Sequence, residues 1–331
     1  MNEWLAYTGS GTRTAPSASK ELPPPPPWRK FPRTRDSGGS AQDRGRTYQI
    51  DPHEADRVNA AMYLRRPLLV TGAPGTGKSS LAYGIASELG FGEVLRWPIT
   101  SKSTLREGLY QYDAIGRLQE ANLREIMARH GGDPQVVDIG SYIRLGPLGT
   151  ALLPTERPRV LLIDELDKSD IDLPNDLLDI FEEGEYKIVE IARLPARDSK
   201  VTVMTSDDRG TAELSGEPRG VIRCNAFPLV IITSNGERQF PPAFLRRCMQ
   251  LNLRPASPEK LAQIVEAHLG IHADGYRDLI DEFLRRQPDD ELATDQLLNA
   301  IFLRYRSLRP ADETLAQFTD AVMHPLNRPS P

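Results

Sequence analysis

Cysteine is scarce in this chain, and long apolar runs are missing. Only Cys224 and Cys248 occur among the 331 residues. They lack metal-ligand spacing, so we expect two reduced packing residues and neither a disulfide framework nor a zinc site. No apolar stretch approaches the roughly 20 residues of a membrane-spanning helix, and residues 1–19 lack the layout of a signal peptide. We therefore expect a soluble, cytoplasmic protein with no membrane insertion.

Basic charge is also in short supply, with 41 Lys and Arg against 46 Asp and Glu and a net charge of −5. A chain of this balance has no general affinity for phosphate backbones, so a specific nucleic-acid partner is not expected. The exception is the region 1–46, which holds eight basic and four acidic residues. A nucleic-acid motor would have to use this region for weak contacts.

Residues 1–46 are rich in Pro, Ser, Gly and Arg and too poor in aliphatic residues to fold alone, so we predict a disordered basic arm that buries no core of its own. Within it, five prolines at 23–27 precede Trp28. Such a segment can dock on a partner as a polyproline helix, or it can serve as a stiff linker, which we favour.

A phosphate-binding loop is the most informative feature that is present. The apolar stretch 67–71 runs into Gly-x-x-x-x-Gly-Lys-Ser at 72–79, a pattern in which successive amides face phosphate at the start of a helix. Lys78 would neutralise the β and γ phosphates, and the Ser79 hydroxyl would ligate Mg²⁺. Adenine is preferred over guanine, so ATP is the expected nucleotide. The residues predicted to bind it are Gly72, Ala73, Pro74, Gly75, Thr76, Gly77, Lys78, Ser79 and Ser80.

Two carboxylates follow a second apolar run, 160–163, which is typical of a buried parallel strand. Ligands bind at the carboxyl edge of such sheets. Asp164 is suited to hold Mg²⁺, and Glu165 to orient or deprotonate the water that attacks the γ-phosphate.

A third apolar run, 229–233, leads to Asn235, which can position the attacking water. Arg246 and Arg247 follow on a short helix. Neighbouring arginines are usually solvated, but in a ring-forming ATPase one of them would reach the nucleotide of the next subunit. Between the two we slightly favour Arg247.

These elements resemble an AAA+ ATPase of the MoxR type in their order and spacing. GAPGTGKS at 72–79 resembles Walker A, LLIDE at 161–165 Walker B, IITSN ending at Asn235 sensor 1, and FLRRC at 244–248 the arginine-finger segment. The segments 110–114, 142–148 and 167–178 resemble MoxR-related ATPases found beside bacterial conflict and signalling genes.

The resemblance covers 47–325 and implies an α/β P-loop NTPase fold, with a three-layer parallel sheet followed by a small all-helical lid. The expected domains are the arm 1–46, the core 47–254, the lid 255–325 and a tail 326–331. The resemblance further implies a homo-oligomeric, usually hexameric, ring. The ring would hydrolyse ATP with Mg²⁺ to remodel or mature a protein client, and a von Willebrand factor A domain protein is a candidate partner.

One position departs from the family pattern. Gln296 stands where the lid of such proteins commonly carries a sensor-2 arginine. A neutral amide cannot neutralise phosphate charge, so a nucleotide-gated scaffold with little hydrolysis stays open as a second function.

The remaining sequence predicts elements around these motifs. Strands at 186–191 and 200–204 suggest a hairpin. The resemblance implies that such a hairpin contacts substrates, so Leu194 and Arg197 at its tip are candidate contacts. The polar stretch 206–220 suggests a loop, and 135–139 a short strand. Helices are expected at 51–64, 79–89, 115–129 and 173–183, and in the lid from Pro258, at 276–286, 294–306 and 312–323.

Overall fold

A computed structural model describes residues 24–29, 45–130, 138–195, 200–207, 209–215, 218–290, 292–306 and 322–323, with only the backbone at 288–290. The helices in this part of the chain are α1 Pro52–Leu64, α2 Lys78–Leu89, α3 Leu105–Leu109, α4 Ala114–Arg129, α5 Pro147–Ala151, α6 Leu173–Glu183, α7 Val189–Ala192, α8 Pro242–Arg247, α9 Pro258–Leu269, α10 Arg277–Asp290 and α11 Thr294–Tyr305. The strands are β1 Leu68–Thr71, β2 Val94–Pro98, β3 Tyr110–Tyr112, β4 Ile143–Leu145, β5 Val160–Asp164, β6 Glu185–Lys187, β7 Lys200–Met204, β8 Thr211–Ser215, β9 Val221–Arg223, β10 Leu229–Ser234 and β11 Met249–Asn252.

The central sheet has five parallel strands in the order β11-β1-β10-β5-β2. Every residue of β5 and β10 is buried, which explains why both strands are runs of aliphatic residues without alternation. Helices flank this sheet and more helices follow it, so the predicted α/β fold with C-terminal helices is confirmed. A second sheet has the order β3-β4-β7-β8, and β6 pairs with β9.

The chain divides into two compact units. One comprises residues 50–71 and 81–252, and its core is built on the central sheet. The other comprises residues 72–80 together with the described residues before 50 and after 252. In this second unit Leu261, Phe283 and Ile301 lie among the buried side chains of an apolar cluster formed by α9, α10 and α11. The domain limits proposed from the sequence stay a prediction.

The ends of α9 agree with the sequence. The Ser257 hydroxyl accepts a hydrogen bond from the Lys260 amide, with Pro258 in the first turn, and Gly270 ends the helix in the left-handed conformation. The helices expected at 51–64, 79–89, 115–129 and 173–183 are present within a residue of their predicted limits. No helix among the described residues is long and apolar enough to cross a membrane.

The predicted hairpin is wrong. Strand β6 pairs with β9 and strand β7 with β8, and residues 189–192 form a helical turn. Residues 206–220 are not one loop, because Ala212 and Leu214 turn toward the core from β8. Leu194 packs against the core and its carbonyl accepts from Arg219, so it is not an exposed tip.

Several predictions fall outside the described residues. These are Arg197, most of the strand expected at 135–139 and nearly all of the helix expected at 312–323. The described end of that strand, Ile139, lies in a 3-10 turn.

Candidate active site

Three strands of the central sheet end side by side. Thr71, the last residue of β1, is the register partner of Ser234, the last residue of β10. On the other side of β10, Ile232 is the partner of Ile163, which directly precedes Asp164. Because the strands are parallel, their carboxyl ends form one edge, and the glycine-rich loop follows Thr71 in the chain.

The loop requires glycine at two positions. Gly75 has φ +74°, and a Cβ there would lie 2.3 Å from the Cβ of Ala293, the residue before α11. Gly72 has φ +149°, and its Cβ would lie 2.7 Å from the carbonyl oxygen of Leu253. Both the backbone conformation and the packed C-terminal residues therefore exclude a side chain at these two places.

Lys78 begins α2 and turns its side chain into the loop. Its Nζ donates to the carbonyl oxygens of Gly72 at 2.8 Å and Ala73 at 2.9 Å, and the residue is only 7% exposed. Ser79 and Ser80 follow in the first turn of the helix. A helix start that carries a buried ammonium group is suited to bind an oxyanion.

Asp164 is buried at the end of β5, and both of its carboxylate oxygens are hydrogen-bonded. Oδ1 accepts from the Thr233 hydroxyl at 2.9 Å. Oδ2 accepts from Arg96 of β2, from Nε at 3.0 Å and from Nη2 at 2.6 Å. Burial alone would lower the pKa of Arg96, but the hydrogen bond and the charge of Asp164 raise it, so the pair is ionic.

Glu165 is one of two non-glycine residues with positive φ in the described part of the chain, at φ 63° and ψ 50°. This left-handed conformation costs about 1 kcal/mol or more. It is held in part by the Glu165 amide, which donates to the Thr233 hydroxyl at 2.8 Å. The half-exposed carboxylate accepts from Lys168 Nζ at 2.8 Å, a contact that raises the pKa of Lys168. Thr233 therefore contacts both predicted acids.

Asn235 is fixed through its backbone. Its amide donates to Asp167 Oδ2 at 2.9 Å, and the Glu237 amide donates to the same oxygen at 3.1 Å. Asp167 is buried, and its Oδ1 has no hydrogen-bond partner among the described residues. The half-buried Asn235 side chain is thus presented from a loop tied to the segment that follows Glu165.

A family model described as the AAA domain, dynein-related subfamily, matches residues 67–248. The chain belongs to this AAA family. The matched region is more than half of the chain and includes the glycine loop, Asp164, Glu165, Asn235 and the arginine pair. No curated protein matches the chain. An AAA domain is a P-loop nucleotide-binding domain, so nucleotide-dependent activity follows from the family, while the MoxR assignment stays a prediction.

Arg246 and Arg247, the candidate finger arginines of the AAA domain, differ in their surroundings. The Arg247 guanidinium is half-buried, is ion-paired with Glu182 of α6 and also donates to the carbonyl oxygen of Ala243. The Arg246 side chain is exposed and has no ion pair with any described residue. Only Arg246 therefore presents a guanidinium outward without first breaking an ion pair.

Gln296 lies at the start of α11, outside the matched region. Its Oε1 accepts from the amide of Ala293 at 2.9 Å, and the residue is buried. The side chain thus stabilises the helix start that packs on Gly75 of the AAA domain's phosphate loop. A neutral capping residue occupies the position where a sensor-2 arginine was expected.

Three side chains that contact the predicted acids or the sensor loop of the AAA domain were not predicted as site residues: Arg96, Thr233 and Asp167. Arg96 has a weak signal, because it is a lone basic residue in an apolar strand. Thr233 lies within the IITSN segment and Asp167 begins the 167–178 segment, yet their roles depend on strand register and on a loop contact, which no spacing rule provides.

Proposed function

We propose that this AAA domain hydrolyses ATP with Mg²⁺ to remodel or mature a protein client, and that it does so in a homo-oligomeric ring of the MoxR type with six subunits. The observation that carries this proposal is the hydroxyl of Thr233, which accepts from the Glu165 amide and donates to Asp164. This hydroxyl fixes the residues that carry the two carboxylates at the carboxyl edge of the sheet, and the phosphate loop follows strand β1, which ends at the same edge. A purely structural pair of acids would not need this arrangement beside a strained backbone.

The residues suit a magnesium ion. Ser79 offers a hydroxyl and Asp164 a carboxylate, the hard oxygen ligands that Mg²⁺ prefers. Asp164 Oδ2 already accepts a cationic group, the guanidinium of Arg96, so this position tolerates positive charge. When bound, Mg²⁺ would neutralise charge on the β and γ phosphates.

The roles of the remaining residues follow from their placement. Lys78 and the loop amides bind the phosphates, and Asn235 orients a water molecule. Glu165 takes the proton of that water on its carboxylate, for which it must separate from Lys168. This ion pair is half-exposed, and such pairs contribute at most about 1 kcal/mol, so separation is not costly.

The neighbouring subunit is proposed to complete the site with an arginine. The ion pair of Arg247 with Glu182 leads us to propose Arg246 for this role in place of the Arg247 favoured from the sequence. The exposed Arg246 guanidinium is available to bind the phosphate of a nucleotide held by the neighbouring subunit.

An apolar stripe supports a protein client. Helix α4 buries none of its residues and exposes large apolar side chains, which are Ile115, Leu118, Leu123, Ile126 and Met127. Exposed apolar patches of this kind mark protein contacts more often than nucleic-acid contacts. The von Willebrand factor A domain partner rests on the MoxR resemblance alone.

The second candidate function is a nucleotide-gated scaffold with little hydrolysis. It is favoured by Gln296, which caps α11 and carries no charge. Slow turnover with tight nucleotide binding would identify it.

Three variants test the proposal. Lys78→Ala is expected to weaken ATP binding and abolish hydrolysis, because the phosphate charge loses its counter-ion. Glu165→Gln is expected to retain ATP and lose most turnover. Glu183→Gln, an exposed acid at the end of α6, is the matched control and should behave as wild type. Wild-type hydrolysis by Glu165→Gln would contradict the base assignment, and tight ATP binding with negligible wild-type turnover would favour the scaffold.

A further inference from the structure

Arg96 is a basic side chain that is bonded to Asp164. It lies on β2, the strand next to β5, where Leu95 and Trp97 on either side are buried and Arg96 itself is exposed. The alternation of the strand turns its side chain toward Asp164, and two guanidinium nitrogens reach the same oxygen, Oδ2. The Arg96 side chain is 51% exposed, whereas that of Asp164 is 6% exposed.

We propose that Arg96 competes with Mg²⁺ for Asp164, so that the guanidinium leaves Oδ2 when the metal arrives with its nucleotide. This inference rests on the proposed function, because it concerns the same magnesium site. It assigns a regulatory role to a residue on β2 that no motif identifies.

The contacts of Asp164 make Oδ2 the contested atom. Oδ1 is oriented by the Thr233 hydroxyl, which is itself held by the Glu165 amide. A cation that binds at Oδ2 must share this atom with the two guanidinium nitrogens of Arg96. Two positive groups a few ångströms apart repel each other, most strongly where the acid is buried.

The competition cannot be relieved by deprotonation, because a guanidinium stays charged at any physiological pH. It can be relieved by movement, since half of the Arg96 side chain is in solvent and its long stem has several rotatable bonds. Arg96 would therefore weaken binding of Mg²⁺ without closing the site to it.

A purely structural role of Arg96 predicts the opposite sign. If Arg96 only held Asp164 in the orientation that the metal needs, its removal would weaken Mg²⁺ binding. If it competes, its removal strengthens Mg²⁺ binding. Whichever role Arg96 has, its removal should change nucleotide binding without metal very little, because its guanidinium is bound to Asp164 and is not one of the proposed phosphate-binding groups.

The test titrates Mg²⁺ into the full chain with a fluorescent, non-hydrolysable ATP analogue and records the concentration at half-maximal binding. For Arg96→Gln we expect this midpoint to fall about tenfold relative to wild type, the change that corresponds to about 1.4 kcal/mol. Binding of the analogue in EDTA should change less than about twofold, which is a small free-energy difference. Arg223→Gln is the matched control, because Arg223 is an exposed strand arginine paired with Glu185, and its midpoint should equal that of wild type.

An unchanged or raised midpoint in Arg96→Gln would overturn the inference and leave the proposed function intact, provided wild type binds the analogue in a magnesium-dependent way. If wild type binds no analogue, the proposed function and the inference both fall. Thermal melting checks that the variant is folded. Should Arg96→Gln fail to fold, Arg96→Met retains the apolar stem and is expected to show the same fall in midpoint.

Discussion

Asp167 fixes the backbone of Asn235, because one carboxylate oxygen accepts from the Asn235 amide at 2.9 Å while also accepting from Glu237. The contact joins the turn after β5 to the loop after β10, two segments that are 68 residues apart in the chain. The loop that presents Asn235 therefore depends on a side chain outside its own sequence.

We expect Asp167→Ala to lower the free energy of unfolding by about 2–4 kcal/mol, because two loop amides lose a charged acceptor. Any ATP turnover should fall as well, since Asn235 is then less well positioned. Chemical denaturation and ATPase assays check both effects. Asp179→Ala, an exposed acid on α6, is the control. A fully stable Asp167→Ala protein would show that the loop is held by other contacts.

The arginine pair can be separated by mixing subunits. Arg246→Ala is expected to reduce turnover by up to about 10³-fold, as loss of other arginine fingers does. Arg247→Ala should have a smaller effect on turnover, because its guanidinium is engaged by Glu182. Mixing Arg246→Ala with Glu165→Gln subunits should recover part of the rate, since some interfaces then combine an intact loop and acids with an intact arginine.

The reverse ranking, with Arg247→Ala the more damaged and the one rescued by mixing, would restore the assignment favoured from the sequence. Normal hydrolysis by both single variants as monomers would contradict a site completed by a second subunit.

Trp28 revises the expectation that residues 1–46 bury no core. Its indole Nε1 donates to Asn299 Oδ1 at 3.2 Å, and its ring packs edge-on against Phe302 and His268. Trp28→Ala is therefore expected to lower the free energy of unfolding by about 2 kcal/mol, less than for a fully buried tryptophan. Deletion of residues 1–46 should have a similar effect. Differential scanning calorimetry measures both.

The control for Trp28→Ala is Tyr63→Ala, which removes a ring that is 81% exposed and should leave the melting temperature unchanged. If Trp28→Ala and the deletion also melt with wild type, the Trp28 contact contributes nothing in solution.

Asp207 makes the stability of the AAA domain depend on acid pH. Burial alone would raise the pKa of Asp207, but hydrogen bonds from Thr205 and Arg159 and the charge of Arg159 lower it below its usual value. A lowered folded-state pKa stabilises the protein above the unfolded-state pKa of about 3.9, and this stabilisation is lost as the pH falls through the folded-state pKa. We expect the loss to begin as the pH falls below about 5 and to continue below the unfolded-state pKa.

The variant Asp207→Asn should lose about 3 kcal/mol at pH 7, because Arg159 is left buried without its counter-ion. Its free energy of unfolding should then fall less than that of wild type between pH 5 and pH 3. Urea denaturation at both pH values measures this difference, with the exposed Asp176→Asn as control. Equal slopes for Asp207→Asn and wild type would contradict the assignment.

Local patterns determined much of this protein. Gly72, Gly75 and Lys78 were recognisable because the backbone of a phosphate loop demands those residue types at fixed spacing. The aliphatic runs of β5 and β10 predicted buried parallel strands, because such strands are covered on both faces. Ser257 and Gly270 predicted the limits of α9, since helix capping involves only neighbouring residues.

Only the tertiary structure decided which distant side chains meet. Short strands such as β6 have too few residues to specify their partner, so the hairpin predicted with β7 was wrong. The contacts of Asp164 with Arg96 and Thr233 join residues 68 and 69 positions apart, and they depend on strand order and register. The pairing of Arg247 with Glu182 and the packing of Trp28 on α11 likewise depend on how elements pack, which local sequence does not encode.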